Sequence, residues 1–177
     1  MKEQIHIFFT ALMFYTRIPC PPWVDHRSDY LNRATVYFPL IGWIVGGASF
    51  LVFWLAAFLL NPLLALILSL ASSVLITGAF HEDGFADTCD GFGGGWTQAQ
   101  ILKIMKDSRV GTYAAVGLIL LFALKIAALY ELSQKFSILD LGVIFILAHS
   151  SSRWMATTLI YTLDYARDPS DSKAKPV

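Results

Sequence analysis

Charge is scarce in this sequence. Of 177 residues, 15% are charged and 56% hydrophobic, and the mean hydropathy is +0.58, whereas a soluble domain carries roughly 25% charged residues. No charged residue lies between Arg33 and Glu82. As helix at about 1.5 Å per residue, that interval is about 70 Å long, enough to cross a hydrocarbon core of about 30 Å twice. This excludes an aqueous globular domain. The expected fold is all-α, a polytopic membrane helix bundle forming one domain over 1–177, with no internal repeat. Formal net charge is zero, so no basic surplus points to nucleic acid. Cysteine is also scarce: Cys20 and Cys89 have no metal-ligand spacing and are expected as free thiols, not as a disulfide framework.

The apolar residues divide into segments. Residues 5–15, interrupted by His6 and Thr10, are too short to span, and Arg17-Ile18-Pro19-Cys20 offers no small-residue cleavage site. An interfacial or re-entrant helix ended by Pro19, Pro21 and Pro22 is expected. Spans are expected near 36–60, 62–80, 112–130 and 141–163. Gly42 and Gly46 form a Gly-x-x-x-Gly pair that permits close helix contact, and Asn61-Pro62 turns the first span into the second. The second span is expected to continue into a polar stretch beyond the membrane. Residues 91–96 read as a glycine-rich loop, without the Gly-Lys-Ser/Thr of a P-loop. Thr97 and Gln100 read as a capping box opening a short amphipathic helix over 97–108.

Two spans carry charge. Lys125, near the end of the third, is expected to snorkel to the far interface. His149-Ser150-Ser151-Ser152-Arg153 sits near the middle of the fourth, with His149 and Arg153 one turn apart. A central arginine costs some 2.5–3.5 kcal/mol on insertion scales, so it must face the bundle interior. There it either makes a polar contact between helices or meets an anionic group of a substrate. With the N-terminus inside, Lys2, Arg17, Arg27, Arg33, Lys103, Lys106, Arg109, Arg167, Lys173 and Lys175 all fall on cytoplasmic segments. The last residues, 168–177, read as a polar tail without a further span.

Against this sparse background Glu82, Asp83, Asp87 and Asp90 stand together with no Lys or Arg among them. On a helix Asp83, Asp87 and Asp90 share an arc of about 60°, with Glu82 to its side. Like charges one turn apart destabilise a helix by roughly 0.2–0.5 kcal/mol per pair. The following glycines would end the helix just after Asp90, at the negative end of its dipole. Both terms point to a missing cation, and carboxylate-only ligands suit Mg²⁺ before Zn²⁺. Lys106-Asp107-Ser108-Arg109 forms a second charged stretch in the same cytoplasmic loop.

His81-Glu82-Asp83-Gly84-Phe85-Ala86-Asp87-Thr88-Cys89-Asp90-Gly91-Phe92-Gly93-Gly94-Gly95 and Met105-Lys106-Asp107-Ser108-Arg109-Val110-Gly111-Thr112 resemble the motifs of cobalamin synthases. These are the adenosylcobinamide-GDP ribazoletransferases of bacterial cobalamin assembly. Thr16-Arg17-Ile18-Pro19 and Tyr37-Phe38-Pro39-Leu40-Ile41-Gly42 are similar to the family's N-terminal pattern. The resemblance covers the whole chain. It implies that a ribose hydroxyl of α-ribazole, or of its 5′-phosphate, attacks the phosphorus nearest the cobinamide of adenosylcobinamide-GDP and that GMP leaves. Such phosphoryl transfer depends on alignment and charge neutralisation. In this reaction Glu82, Asp83, Asp87, Asp90 and Asp107 would hold Mg²⁺, and one of Asp83, Asp87, Asp90, Asp107 or His81 would take the hydroxyl proton. Lys106, Ser108, Arg109 and the backbone of Gly93, Gly94 and Gly95 would hold the diphosphate, with Arg153 and His149 on a further anionic group.

The resemblance further implies a bacterial inner (plasma) membrane location, lipid contact and an active-site loop on the cytoplasmic side, and it leaves a homo-oligomer open. Family members continue with further membrane helices, so the chain is expected to be the N-terminal part of a longer domain. Asp87-x-x-Asp90-Gly91 also resembles the opening of the CDP-alcohol phosphotransferase signature, but the Ala-Arg expected after that glycine is absent. A divalent-cation transporter would need acids at mid-membrane, and here they fall in a cytoplasmic loop.

Overall fold

The computed structural model describes residues 2–25, 27–164 and 166; the tail at 168–177 and the basic residues Arg167, Lys173 and Lys175 lie outside the described residues. Every regular element among them is a helix: α1 (Lys2–Tyr15), α2 (Ser28–Ala34), α3 (Phe38–Ala56), α4 (Pro62–Thr77), α5 (Phe80–Gly94), α6 (Gln98–Ile104), α7 (Thr112–Lys135) and α8 (Ile138–Thr162). A 3₁₀ turn, Thr35–Tyr37, joins α2 to α3, and the run Asp29–Ala56 is long and apolar enough to cross a membrane. So is α7, while α4 and α5 together form a pair bent by 90°. At 25 residues α8 is long enough to span, but its polar centre keeps it out of that class. The chain is a membrane helix bundle.

Local chemistry sets the helix ends. The Asn61 side chain accepts the Leu64 N–H (3.0 Å) and Pro62 opens α4. The Ser137 hydroxyl accepts the Asp140 N–H (3.3 Å) at the start of α8. The Thr97–Gln100 capping box forms as expected, satisfying N–H groups that a helix start leaves orphaned. The N-terminal helix is docked: Ile7, Ala11 and Tyr15, at i, i+4 and i+8 of α1, are buried with Tyr30, Ala34, Phe38 and Ile41. Tyr15 stacks on Phe38 with ring centroids 3.9 Å apart.

Spans immersed in lipid gain little from apolar burial against one another, so close backbone packing carries more of their attraction. The Gly-x-x-x-Gly pair of α3 provides it. A Cβ on Gly42 would lie 2.6 Å from the His149 carbonyl oxygen and 2.7 Å from Ser150 Cα, and one on Gly46 would lie 2.8 Å from the Phe145 carbonyl oxygen.

The second span does not run on into the acidic stretch. Gly78 (φ 63°) and Ala79 (φ 59°) are both left-handed. The Gly78 and Ala79 N–H groups close α4 by donating to Leu75 O (3.2 Å) and Val74 O (2.8 Å). For a residue with a Cβ this conformation costs roughly 1–2 kcal/mol. The connection after α1 clamps the elbow: the Arg17 N–H donates to Ile76 O at 2.7 Å, and its side chain occupies the space a Gly78 side chain would need. The acidic residues therefore lie on a separate helix turned away from α4.

Gly42→Ala is expected to destabilise the bundle by about 1–3 kcal/mol through overpacking against backbone. Gly47 faces open space, with nothing within 4 Å of where a Cβ would stand, so Gly47→Ala in the same helix should be neutral or stabilising by up to about 1 kcal/mol. Thermal unfolding in detergent measures both, and equal behaviour would contradict the glycine-mediated contact.

Candidate active site

The acidic helix is held to α7 by Asp90. Its Oδ2 accepts the Gly111 N–H at 2.6 Å and its Oδ1 the Ala114 N–H at 2.9 Å. Gly111 is the N-cap of α7 and has no capping side chain of its own, so Asp90 supplies from α5 the acceptor that a Ser or Asp would supply locally. A Cβ on Gly111 would lie 2.6 Å from Asp90 Oδ1, so glycine is needed there. Both oxygens of Asp90 thus accept from backbone, which gives it a positioning role that its sequence spacing does not show.

The glycine run is also different from expectation. Gly93 and Gly94 belong to the last turn of α5, not to a loop. A side chain on Gly93 would enter the Tyr113 ring, and Cβ atoms on Gly91 and Gly95 would lie 2.7 Å from Met105 Cγ and Ile101 Cγ1. These glycines are small so that α6 and the start of α7 can pack on α5. Gly93, Gly94 and Gly95 form no phosphate-cradling loop.

The expected set of five carboxylate ligands is not gathered. Among the described residues no group of three or more His, Cys, Asp and Glu side chains could hold a metal ion. Glu82 turns into the bundle, 12% exposed, with Oε1 3.9 Å from Lys125 Nζ. Asp107 is engaged by Arg109, whose Nε donates to Oδ1 and Oδ2 (3.0 Å each) and whose NH2 donates to Oδ2 (2.6 Å). That fork holds the Asp107 carboxyl down to about 2, and Arg109 is raised in turn. With Asp107 lowered, the pair is fully formed above the ordinary carboxylate range and is lost as pH falls toward about 2. It is exposed, so it adds little to stability. Lys106 and Ser108 are in the same loop.

Asp83, exposed, and Asp87, half-buried, lie one turn apart on α5. Two hard oxygen donors fit Mg²⁺, which typically takes one or two carboxylates and completes its shell with water and substrate phosphate oxygens.

Behind α5 lies a cavity of about 280 Å³ bordered by α3, α4, α7 and α8. His81 and Glu82 close one end, and His149 and Arg153 line its wall. His149 and Arg153 do share a face: Arg153 NH1 donates to the His149 carbonyl oxygen at 2.9 Å and lies 3.3 Å from its Nδ1. Arg153 is buried, 4% exposed. Lys125 lines this cavity and faces Glu82, so it does not snorkel to the far interface. Sequence reasoning also missed Ser69, Ser73 and Thr77, which line the cavity from α4. Their i, i+4, i+8 spacing on α4 was the available signal.

Asp90→Ala is expected to cost about 0.5–2 kcal/mol, as loss of a helix cap does, because two N–H groups at the start of α7 lose their acceptor. Asp83→Ala should stay within about 0.5 kcal/mol, as surface substitutions usually do. Denaturation in detergent compares them; equal stabilities would contradict the structural role of Asp90.

The family model of cobalamin-5-phosphate synthases matches residues 7–176. The chain is 48% identical over 175 residues to an adenosylcobinamide-GDP ribazoletransferase of Shewanella frigidimarina, covering 99% of this chain and 67% of the relative. For the protein of the same name in Shewanella oneidensis the values are 46%, 99% and 66%, and for that of Shewanella pealeana 44%, 99% and 68%. The chain thus spans about two thirds of the length of these curated relatives. No solved structure matches. The matched range includes both stretches that Asp90 joins, and the chain belongs to the cobalamin-5-phosphate synthase family.

Proposed function

We propose that this chain carries the phosphoryl-transfer site of an enzyme that joins adenosylcobinamide-GDP to α-ribazole or its 5′-phosphate. The products are adenosylcobalamin, or its 5′-phosphate, and GMP. The observation that carries this reading is the Asp90 contact with Gly111 and Ala114, which ties the acidic helix to the loop bearing Lys106 and Arg109. Negative donors for a cation and positive donors for a diphosphate thereby belong to one junction.

In the reaction a ribose hydroxyl oxygen bonds to the phosphorus nearest the cobinamide, the bond from that phosphorus to the GMP oxygen breaks, and the hydroxyl proton passes to a carboxylate. Asp83 and Asp87 would hold Mg²⁺, which when bound would neutralise diphosphate charge and favour loss of the hydroxyl proton. Arg109 exchanges Asp107 for phosphate oxygens. The exchange costs little because an exposed ion pair is worth only about 0–1 kcal/mol, and the planar fork suits phosphate. It also releases the Asp107 carboxylate, which can then take the proton. Lys106 adds a second positive charge. The basic residues Lys2, Arg17, Arg27, Arg33, Lys103, Lys106 and Arg109 support a cytoplasmic face for this junction in a bacterial inner membrane.

The test is GMP release in detergent or liposomes. Arg109→Lys keeps the charge but loses the fork, and kcat/KM for adenosylcobinamide-GDP should fall about 10- to 150-fold, one charge-assisted hydrogen bond. The KM for α-ribazole should be unchanged. A fully active variant, or a defect confined to α-ribazole, would refute the diphosphate role.

A further inference from the structure

Among the described residues four buried side-chain polar atoms have no hydrogen-bond partner: Ser49 Oγ, His81 Nε2, Glu82 Oε2 and Arg153 Nε. All four residues line one cavity, that between α3, α4, α7 and α8. An unsatisfied buried group costs roughly 1–3 kcal/mol, so four around one space point to a polar occupant.

The cavity has two different ends. Helix register sets three levels along its length. At one end are Thr77, His81, Glu82 and Arg153; one turn deeper come Ser73, Lys125 and His149; deeper again lie Leu70, Leu129 and Phe145 with Ser49. The first end is polar and charged, and the deep end is mostly apolar, with the Ser69 hydroxyl bonded to Ser49 O (2.7 Å) and the Ser49 hydroxyl orphaned. Glu82 lies 3.9 Å from Lys125 and also interacts with Arg153, so two cations meet one carboxylate and a net positive charge remains there. An occupant that matches has a flat apolar body with an acceptor for Ser49, and a polar end with hydroxyls for Glu82 and an acceptor for Arg153.

We propose that this cavity seats the acceptor nucleoside of the reaction, base inward and ribose toward Glu82 and Arg153. The assignment rests on the function proposed above and says which substrate enters the bundle. The cavity, about 280 Å³, lies just below the roughly 300–1,000 Å³ typical of small-ligand sites. A nucleoside fits such a volume. A corrinoid macrocycle carrying amide arms and a guanosine diphosphate does not, and must lie outside. The ribose end lies against the start of α5, the helix of Asp83 and Asp87.

Two substitutions test this without touching the acidic motif. Ala128→Leu narrows the cavity from α7, and Ser49→Ala removes the deep hydroxyl with no added bulk. Calorimetric binding of α-ribazole to the detergent-solubilised protein should weaken roughly tenfold or more for Ala128→Leu and about fivefold for Ser49→Ala. GDP binding and the KM for adenosylcobinamide-GDP should stay unchanged. If wild-type protein releases GMP and both variants keep the wild-type affinity and KM for α-ribazole, the cavity assignment is overturned and the function stands. If wild-type protein neither binds α-ribazole nor releases GMP, the function falls and this assignment with it.

Discussion

The Asp90 carboxylate, shared between the Gly111 and Ala114 N–H groups, is the interaction on which the site depends. It replaces the missing cap of α7 with a charge from another helix, so two distant motifs become one junction. The elbow at Gly78 and Ala79 makes this possible by turning α5 through 90° from α4. Along the same interface a Cβ on Gly117 would lie 2.7 Å from Cys89 Sγ, so the two helices approach closely beyond the cap as well.

A second constraint is the polar interior. In lipid a charged side chain must find company inside the bundle, and α8 carries His149 and Arg153 where hydropathy alone would ask for leucine. The backbone of α8 at this level lies directly on Gly42 and Gly46 of α3, while Glu82 and Lys125 bring opposite charges to the same cavity from α5 and α7. Close packing on one side and an open polar space on the other are consequences of where the small residues lie: glycines on α3, serines and a threonine on α4.

Local signals predicted local structure well. Asn61-Pro62, the Thr97–Gln100 box and the His149–Arg153 pair are one-turn patterns, and each forms as its spacing implies. The acidic stretch is a helix, but which acid does what was hidden. Asp83, Asp87 and Asp90 share an arc, yet Asp90 meets a helix start 21 residues on, and no spacing rule carries that far. The glycine run looked like a loop because glycine lowers helix propensity; here tertiary contacts with Ile101, Met105 and Tyr113 decide. The elbow was missed because Ala79 is not a residue that ordinarily turns left-handed. Lys125 was misjudged because its partner, Glu82, lies on a different helix.

The central claim is that two carboxylates of α5 and the phosphates of a nucleotide substrate together complete one cation site. Titration of the detergent-solubilised protein with Mn²⁺, followed by electron paramagnetic resonance, tests it most directly. The account predicts weak Mn²⁺ binding by the protein alone, markedly tighter binding with adenosylcobinamide-GDP present, and loss of that enhancement in Asp83→Asn and Asp87→Asn. Equal Mn²⁺ affinity with and without the nucleotide, or an enhancement that survives both substitutions, would contradict it.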